Sequence, residues 1–313
     1  MQSLNHCPCC QGVRLTSITG IVAPFIASYV LGEPPRVTDL LECEDCSFRF
    51  FRERFTAWQI EKLYGGYRGD RYLRERNRYE FWYTRTVNDS IGQSKKEIDT
   101  RKERLESFIG SYVPIPVESV LDYGGDSGQF IPDRVGRNKF VFEISGVKVV
   151  DGVQLIPSQE ELAGKTFDLI LLCHVLEHYS DPADGLRSVS AYLKPGQSKL
   201  LIELPYERYI LNCLPKRGLL TSMYRCYLQW AVRSPFVLKG LDFISSALRV
   251  KFNIVFPFGF VKLHEHINFF NEKSIRTLLE RSGYDLLACQ TVKNESGGFR
   301  KVILCLAQLR SVG

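Results

Sequence analysis

Ten cysteines and five histidines carry much of the chemistry this 313-residue chain can offer, and neither set is evenly spread. Cys7, Cys9, Cys10, Cys43 and Cys46 crowd the amino-terminal region, and two pairs are spaced Cys-x-x-Cys: Cys7 with Cys10, and Cys43 with Cys46. Such a turn aims two thiolates at one point, so two turns can complete a closed tetrahedral zinc site, with Cys9 able to replace a neighbour. Four ligands leave no open position, so the expected role is structural. Cys173, Cys213, Cys226, Cys289 and Cys305 are scattered and read as small apolar residues. Four histidines fall in two short motifs beside acids, His174-Val-Leu-Glu177-His178 and His264-Glu265-His266. An imidazole next to a carboxylate is suited to moving a proton near neutral pH. The bland alternative is that these histidines only tie loops. A metalloprotease-type zinc site is disfavoured, because the HxxEH order follows a strand and also needs a distant third ligand.

Two further segments offer ligand chemistry. Val120-Leu-Asp122-Tyr-Gly124-Gly125-Asp126-Ser-Gly128-Gln-Phe130 reads as a strand running into a glycine-rich turn ahead of a helix. Glycines there let the backbone approach a ligand at the carboxyl end of a strand, and Glu143, at the end of the next strand, is placed to accept hydrogen bonds from ribose hydroxyls. Nicotinamide-binding domains share both features, but Gly124-Gly125-x-x-Gly128 is not their GxGxxG. Between Trp58 and Tyr83 the chain is aromatic and basic, including Tyr64-Gly-Gly-Tyr67-Arg68-Gly-Asp-Arg-Tyr72. Rings that stack and arginines that clamp oxygens would make it a lid over a polar substrate; otherwise it is a solvated helix with a few packed rings.

The elements that must position these residues follow from pattern. Residues 94–111 form a helix with Ile98, Leu105, Phe108 and Ile109 on one face. After Gly110, short apolar strands alternate with helices: Val117–Tyr123, Phe140–Ile144, Val153–Pro157, Phe167–Cys173 and Lys199–Leu204 are strands. Asp181 caps a helix with Pro182 in its first turn, and Asn271 caps another that ends at Gly283. Tyr284–Val292 and Lys301–Gln308 close the chain as a hairpin. The pattern predicts a doubly wound α/β sheet. Residues 1–56 are expected as a zinc-binding module, 57–94 as linker or lid, 95–205 and 264–313 as the α/β domain, and 206–263 as a basic helical insert.

Composition sets outer limits. Hydrophobic residues at 44% and charged residues at 24% exclude a largely disordered chain. No apolar run reaches the roughly 20 residues needed to span a bilayer, and the first residues lack a signal-peptide pattern, so a cytoplasmic location is expected. The net charge of +6 is local: residues 206–263 hold nine Lys and Arg (Arg208, Lys216, Arg217, Arg225, Arg233, Lys239, Arg249, Lys251 and Lys262) against Glu207 and Asp242. Such a patch draws an anionic partner, whether a phosphate-bearing substrate, an acidic lipid surface or RNA. The arginines do not interleave with rings as single-stranded RNA recognition prefers, so nucleic acid is disfavoured. From Leu219 to Arg233, Leu220, Met223, Tyr224, Tyr227, Trp230 and Ala231 recur at helical spacing. That is an amphipathic helix, either packed on the domain or lying on the inner face of a membrane against lipid or a lipid-linked acceptor.

The glycine segment resembles the first motif of the class I S-adenosylmethionine-dependent methyltransferases, acid-x-Gly-x-Gly-x-Gly. Asp122, Gly124 and Gly128 match it, and Asp126 stands at the middle glycine position. Phe167-Asp-Leu-Ile-Leu-Leu-Cys-His174-Val-Leu-Glu177-His178 is similar to that family's fourth strand and following loop, and Leu193–Glu203 to its fifth. The resemblance, over about residues 95–313, implies a Rossmann-like, mostly parallel sheet with an antiparallel carboxyl-terminal hairpin. It also implies S-adenosylmethionine as cofactor, with Asp122, Gly124, Gly125 and Gly128 at methionine and ribose, Glu143 on the ribose, and His174 beside them. A four-cysteine module before such a domain, a His after strand four and a His-Glu-His-x-x-x-Phe stretch before the late helix further resemble sugar C-methyltransferases of deoxysugar biosynthesis. That likeness implies a catalytic set of His178, Glu265 and His266, with His178 or His266 as base and Glu265 orienting it. It implies substrate contacts from Tyr64, Tyr67, Arg68 and Tyr72. Leu263 in place of a tyrosine, and the basic insert, depart from those enzymes. The expectation is therefore methyl transfer to oxygen or carbon of a nucleotide sugar or glycan, phosphate-bearing or lipid-linked. A nicotinamide-dependent oxidoreductase and a non-catalytic binding module are the alternatives.

Overall fold

The computed structural model describes residues 1–207, 218–252, 259–295 and 301–311, with the side chains of 249–252 left aside. Cys213, Arg208, Lys216 and Arg217, and the side chains of Arg249 and Lys251, thus lie outside what is described. The chain forms two units: Met1–Ile91 with Glu207–Phe269, and Gly92–Tyr206 with Phe270–Gly313. The cysteine module, the aromatic segment and the basic insert therefore share one unit, joined by residues 264–269 that the sequence pattern attached to the α/β domain.

The unit of residues 92–206 and 270–313 is built on seven strands, β1 (Val117–Tyr123), β2 (Gly136–Phe142), β3 (Gln154–Ile156), β4 (Leu169–Cys173), β5 (Lys199–Pro205), β6 (Tyr284–Lys293) and β7 (Lys301–Leu309). Their order is β6-β7-β5-β4-β1-β2-β3. The first five strands pair in parallel, and β7 runs antiparallel to both β5 and β6. The order reverses between β1 and β4, which makes the carboxyl ends of those strands the place where such sheets bind ligands. On one sheet face Val120, Leu169, Leu171, Leu201, Leu304 and Leu306 are buried under Leu105, Phe108 and Ile109 of helix Lys95–Gly110. Side chains alternate along a strand, so the same face carries Asp122, Cys173 and Glu203 two residues further on. That face is apolar in its middle and charged at its carboxyl edge. The expected caps are present: Asp181 accepts from the Ala183 amide, and Asn271 forms a capping box with Ser274. The helix expected after the glycine turn is not: Gly124–Val135 is a run of turns, because Gly124, Gly125, Gly128 and Pro132 all oppose a helix.

The other unit holds a five-stranded sheet in the order Lys262–Leu263, Leu15–Val22, Val37–Cys43, Arg49–Phe51, Asn268–Phe269. Residues 262–269 thus supply both outer strands. Ile18, Ile21, Leu40, Phe51, Leu263 and Phe269 are buried in one cluster with Leu63, Tyr72 and Leu228 from the helices. Buried Arg54 donates to the carbonyls of Phe51 and Ile267 and to the Asn268 side chain, fastening the late segment to the early one. Helix Ala57–Tyr64 starts from a Thr56–Gln59 capping box, and Asp70–Tyr79 follows. The insert contributes Leu219–Ala231 and Pro235–Phe252.

Candidate functional site

At the carboxyl end of β1 the chain turns through Gly124 (φ +74°), Asp126 (φ +55°) and Gly128 (φ +75°), all left-handed. Asp is among the few residues with a side chain that tolerate this region, so the loop keeps the backbone path of a glycine at its middle position. A Cβ on Gly125 would run into the Asp122 carboxylate, and one on Gly128 would come within 2.9 Å of Val153 Cγ1. Asp122 is 2% exposed, and its Oδ1 is buried without a hydrogen-bond donor among the described residues. Burial pushes its carboxyl up to about 7; Arg101 opposes this, while Glu203, Glu143 and Asp126 add to it. A buried acceptor lacking only a donor, beside glycine backbone, fits a ligand that brings hydrogen-bond donors or positive charge.

Beneath the turn, Glu203 on β5 is fully buried and held by Arg101 (2.5 Å) and Arg104 (2.6 Å) from helix Lys95–Gly110. Burial alone would raise this carboxyl, but Arg101, His174 and Arg104 outweigh it and bring it to about 2. Arg101 also lies 4.2 Å from the Phe130 ring centroid, so one guanidinium links helix, glycine turn and β5. His174, left-handed at φ +57°, ends β4 with its Nδ1 3.3 Å from Glu177 and its Nε2 3.6 Å from Glu203. Glu143, just past β2, is half-buried and accepts from the Ser145 amide at 2.9 Å. His178 closes the short turn Leu176–His178 and is half-buried. Asp122, Gly124, Gly125, Gly128, Glu143, His174 and His178 all belong to the unit of the seven-stranded sheet.

The other expected site residues belong to the first unit. Glu265 accepts hydrogen bonds from Tyr72, from Tyr67 (3.3 Å) and from Arg76 (3.0 Å). Burial, reinforced by the Glu265 charge, raises both phenols, so both stay protonated as donors. Tyr72 is 1% exposed and acts on Glu265 rather than at a surface. Tyr64 packs against Tyr67 (ring centroids 5.5 Å), and the Arg68 guanidinium lies 5.1 Å from the Tyr67 ring. Arg76 reaches a second buried acid, Glu80 (2.7 Å), which also meets Lys262 (2.6 Å) and His264 (3.2 Å). Burial of Glu80 is outweighed by Lys262 and His264, and its carboxyl lies well below the ordinary range. The sequence pattern gave no sign of Arg76, Glu80 or Glu207 in these roles. Glu207, 3% exposed, lies 2.8 Å from His266 Nδ1 and is a carboxylate that orients that imidazole.

In the same unit the sulfur atoms of Cys7, Cys10, Cys43 and Cys46 lie within 4.8 Å of one another. Cys7 and Cys46 are 3.6 Å apart, and Cys10 and Cys43 are 3.4 Å apart. Zinc–sulfur bonds of about 2.3 Å in a tetrahedron require sulfurs about 3.8 Å apart, so the set fits that ion. The two turns are alike. Gln11 (φ +63°) and Ser47 (φ +58°) follow them, donating from N–H to the carbonyls of Cys7 (2.8 Å) and Cys43 (2.9 Å). The Cys7 and Cys43 amides donate onward to Gly12 and Phe48, both at 2.8 Å, and the Gly12 amide points at Cys10 Sγ (3.4 Å). Cys9 is buried next to them but outside the four-sulfur set.

Residues 92–288 match the family model described as a methyltransferase domain. Among solved structures, the chain is similar to 1,6-didemethyltoxoflavin-N1-methyltransferase of Burkholderia thailandensis, at 14% identity over 74% of this chain and 86% of that one (TM-score 0.44). A glycopeptide N-methyltransferase in complex with S-adenosylmethionine is similar at 14% identity over 66% and 93% (TM-score 0.40). Magnesium protoporphyrin IX methyltransferase of Synechocystis is similar at 14% identity over 69% and 84% (TM-score 0.40). The sequence has no match among curated proteins.

Proposed function

The chain belongs to the methyltransferase-domain family and is an S-adenosylmethionine-dependent methyltransferase, and from that premise we propose that its acceptor is a sugar hydroxyl, on a nucleotide sugar or a glycan. S-adenosylmethionine, when bound, supplies an electrophilic methyl group on a sulfonium. Asp122, Gly124, Gly125 and Gly128 would hold it, with Glu143 at the ribose and His174 alongside; the donorless Oδ1 of Asp122 supports this reading. A hydroxyl acceptor must lose its proton, which calls for a base whose orientation is fixed. His266 has such an orientation: its Nδ1 lies 2.8 Å from the Glu207 carboxylate, which fixes the ring. That pairing carries the proposal. His178 is the second imidazole with a claim to the role. Glu265, steadied by Tyr67, Tyr72 and Arg76, offers a carboxylate of the kind that grips sugar hydroxyls, with the Tyr64–Tyr67 rings and Arg68 beside it. Methylation at carbon would use the same base. We further propose that Cys7, Cys10, Cys43 and Cys46 hold a structural zinc ion.

The test is transfer of labelled methyl to a panel of nucleotide sugars and glycans, with calorimetric titration of S-adenosylhomocysteine as the control. His266→Asn should lower kcat by roughly 100-fold or more while product affinity stays unchanged. Tight product binding with no label on any sugar would overturn the acceptor. Full activity in His266→Asn would overturn the base.

A further inference from the structure

The insert helices turn apolar side chains outward. On Leu219–Ala231, Tyr224, Leu228 and Ala231 face inward, whereas Leu219, Met223 and Trp230, at i, i+4 and i+11, share the opposite side with Leu220 at its edge. Leu219 is 77% exposed and Trp230 56%. Helix Pro235–Phe252 does the same: Leu238, Asp242 and Ser245 are buried, while Phe236 (88% exposed), Phe243 and Ile244 face out with Gly240 and Ala247. Phe81, itself exposed, lies 4.9 Å from Phe243 and extends the surface. Isolated exposed apolar residues need no explanation, but two successive helices each presenting a bulky stripe do.

Charge indicates what covers them. Residues 206–263 contain only two acids, and both are turned inward: Glu207 is buried on His266, and Asp242 is buried on Lys262. Arg233 and Arg225, the latter 3.6 Å from Asp39, remain exposed and Lys239 is half-exposed, so the outward charges carried by the two helices themselves are positive. Bulky apolar side chains including a Trp, on helices whose own outward charges are Arg and Lys, suit the interface of an anionic bilayer. A partner helix or a second copy would be expected to meet some outward acid. No described helix is long and apolar enough to cross a membrane, so the helices would lie in its plane.

We propose that Leu219–Ala231 and Pro235–Phe252 form a docking surface for an anionic lipid bilayer, with Leu219, Met223, Trp230, Phe236 and Phe243 entering the interface. The reading does not depend on the acceptor. The experiment is flotation of the full chain with phosphatidylcholine vesicles, with and without about 30 mol % phosphatidylglycerol. The chain should float with the anionic vesicles, less so at about 0.5 M salt, where surface charge is screened. The double variant Met223→Glu/Phe236→Glu should weaken this by about tenfold or more. Its thermal unfolding transition should not change, which shows that the fold persists. No flotation of the wild type, equal flotation of the variant, or a dimer that the same substitutions dissociate would each overturn the proposal.

Discussion

Asp122→Asn separates the two demands on the β1 carboxylate, and its effect on stability can be worked from the structure. The carboxyl rises from 3.8 to about 7 in the folded chain. A tenfold change in proton affinity is worth about 1.4 kcal/mol, so ionising this buried group costs the ligand-free protein about 4 kcal/mol once the pH exceeds 7. The folded state binds the proton more tightly than the unfolded state. Stability is therefore highest in acid, falls between about pH 4 and 7, and levels off above. Asparagine carries no charge to desolvate, although its new N–H groups need partners and offset about 1–3 kcal/mol of the gain. That offset does not vary with pH. Urea unfolding of both proteins without cofactor should therefore show the variant gaining about 2–3 kcal/mol on the wild type from pH 5 to pH 8. Calorimetry at pH 8 should show its S-adenosylhomocysteine affinity reduced by about tenfold or more, the worth of a charge-assisted hydrogen bond. A stability difference that does not change with pH, or intact affinity in the variant, would refute the reasoning.

Three further outcomes are expected. Cys46→Ser should reduce bound zinc from about one ion per chain to none, measured by elemental analysis, and a chelator should lower the Tm of the wild type but not of the variant. Asp126→Gly should raise stability by about 1 kcal/mol in denaturant unfolding, because it relieves a left-handed residue that carries a Cβ. Glu80→Gln should cost about 1–3 kcal/mol near neutral pH by removing one of the two carboxylates that face buried Lys262, Asp242 being the other. Because the Glu80 carboxyl lies below its ordinary value, that deficit should shrink as the pH falls below about 4.5.

Much of the seven-stranded unit was legible in the sequence because its signals are local. Val117–Tyr123 is found where the apolar run places it, and Asp181 and Asn271 cap the helices that follow them. The first unit was not, because its outer strands are two residues long, too short for any periodicity, and its partners come from opposite parts of the chain. The Glu207–His266 pair spans 59 residues, beyond any motif. The Glu265 environment was half legible: Tyr67 and Tyr72 stand out among glycines and arginines, but nothing marks Arg76 among the other arginines of its helix. For Leu219–Ala231 the spacing revealed an apolar arc, yet only neighbouring elements decide which sector is covered. Tyr224, Leu228 and Ala231 turn in, and Met223 and Trp230 do not.

Residues 262–269 occupy both margins of one sheet, and this ties the His264-Glu265-His266 stretch down at both ends. Four inter-strand steps in a flat sheet would put the margins about 19 Å apart, more than the roughly 17 Å that the five residues from Leu263 to Asn268 can reach. The sheet must curl, and it curls far enough that the span between its rims bends at His264 and Glu265. A slip of one residue at its carboxyl end would move Asn268 and Phe269 out of step with Phe50 and Arg49 and exchange the sides they face. The two imidazoles and the carboxylate thus sit on a short bend anchored at both ends by sheet pairing, to Ile21 and Val22 on one side and to Phe50 and Arg49 on the other.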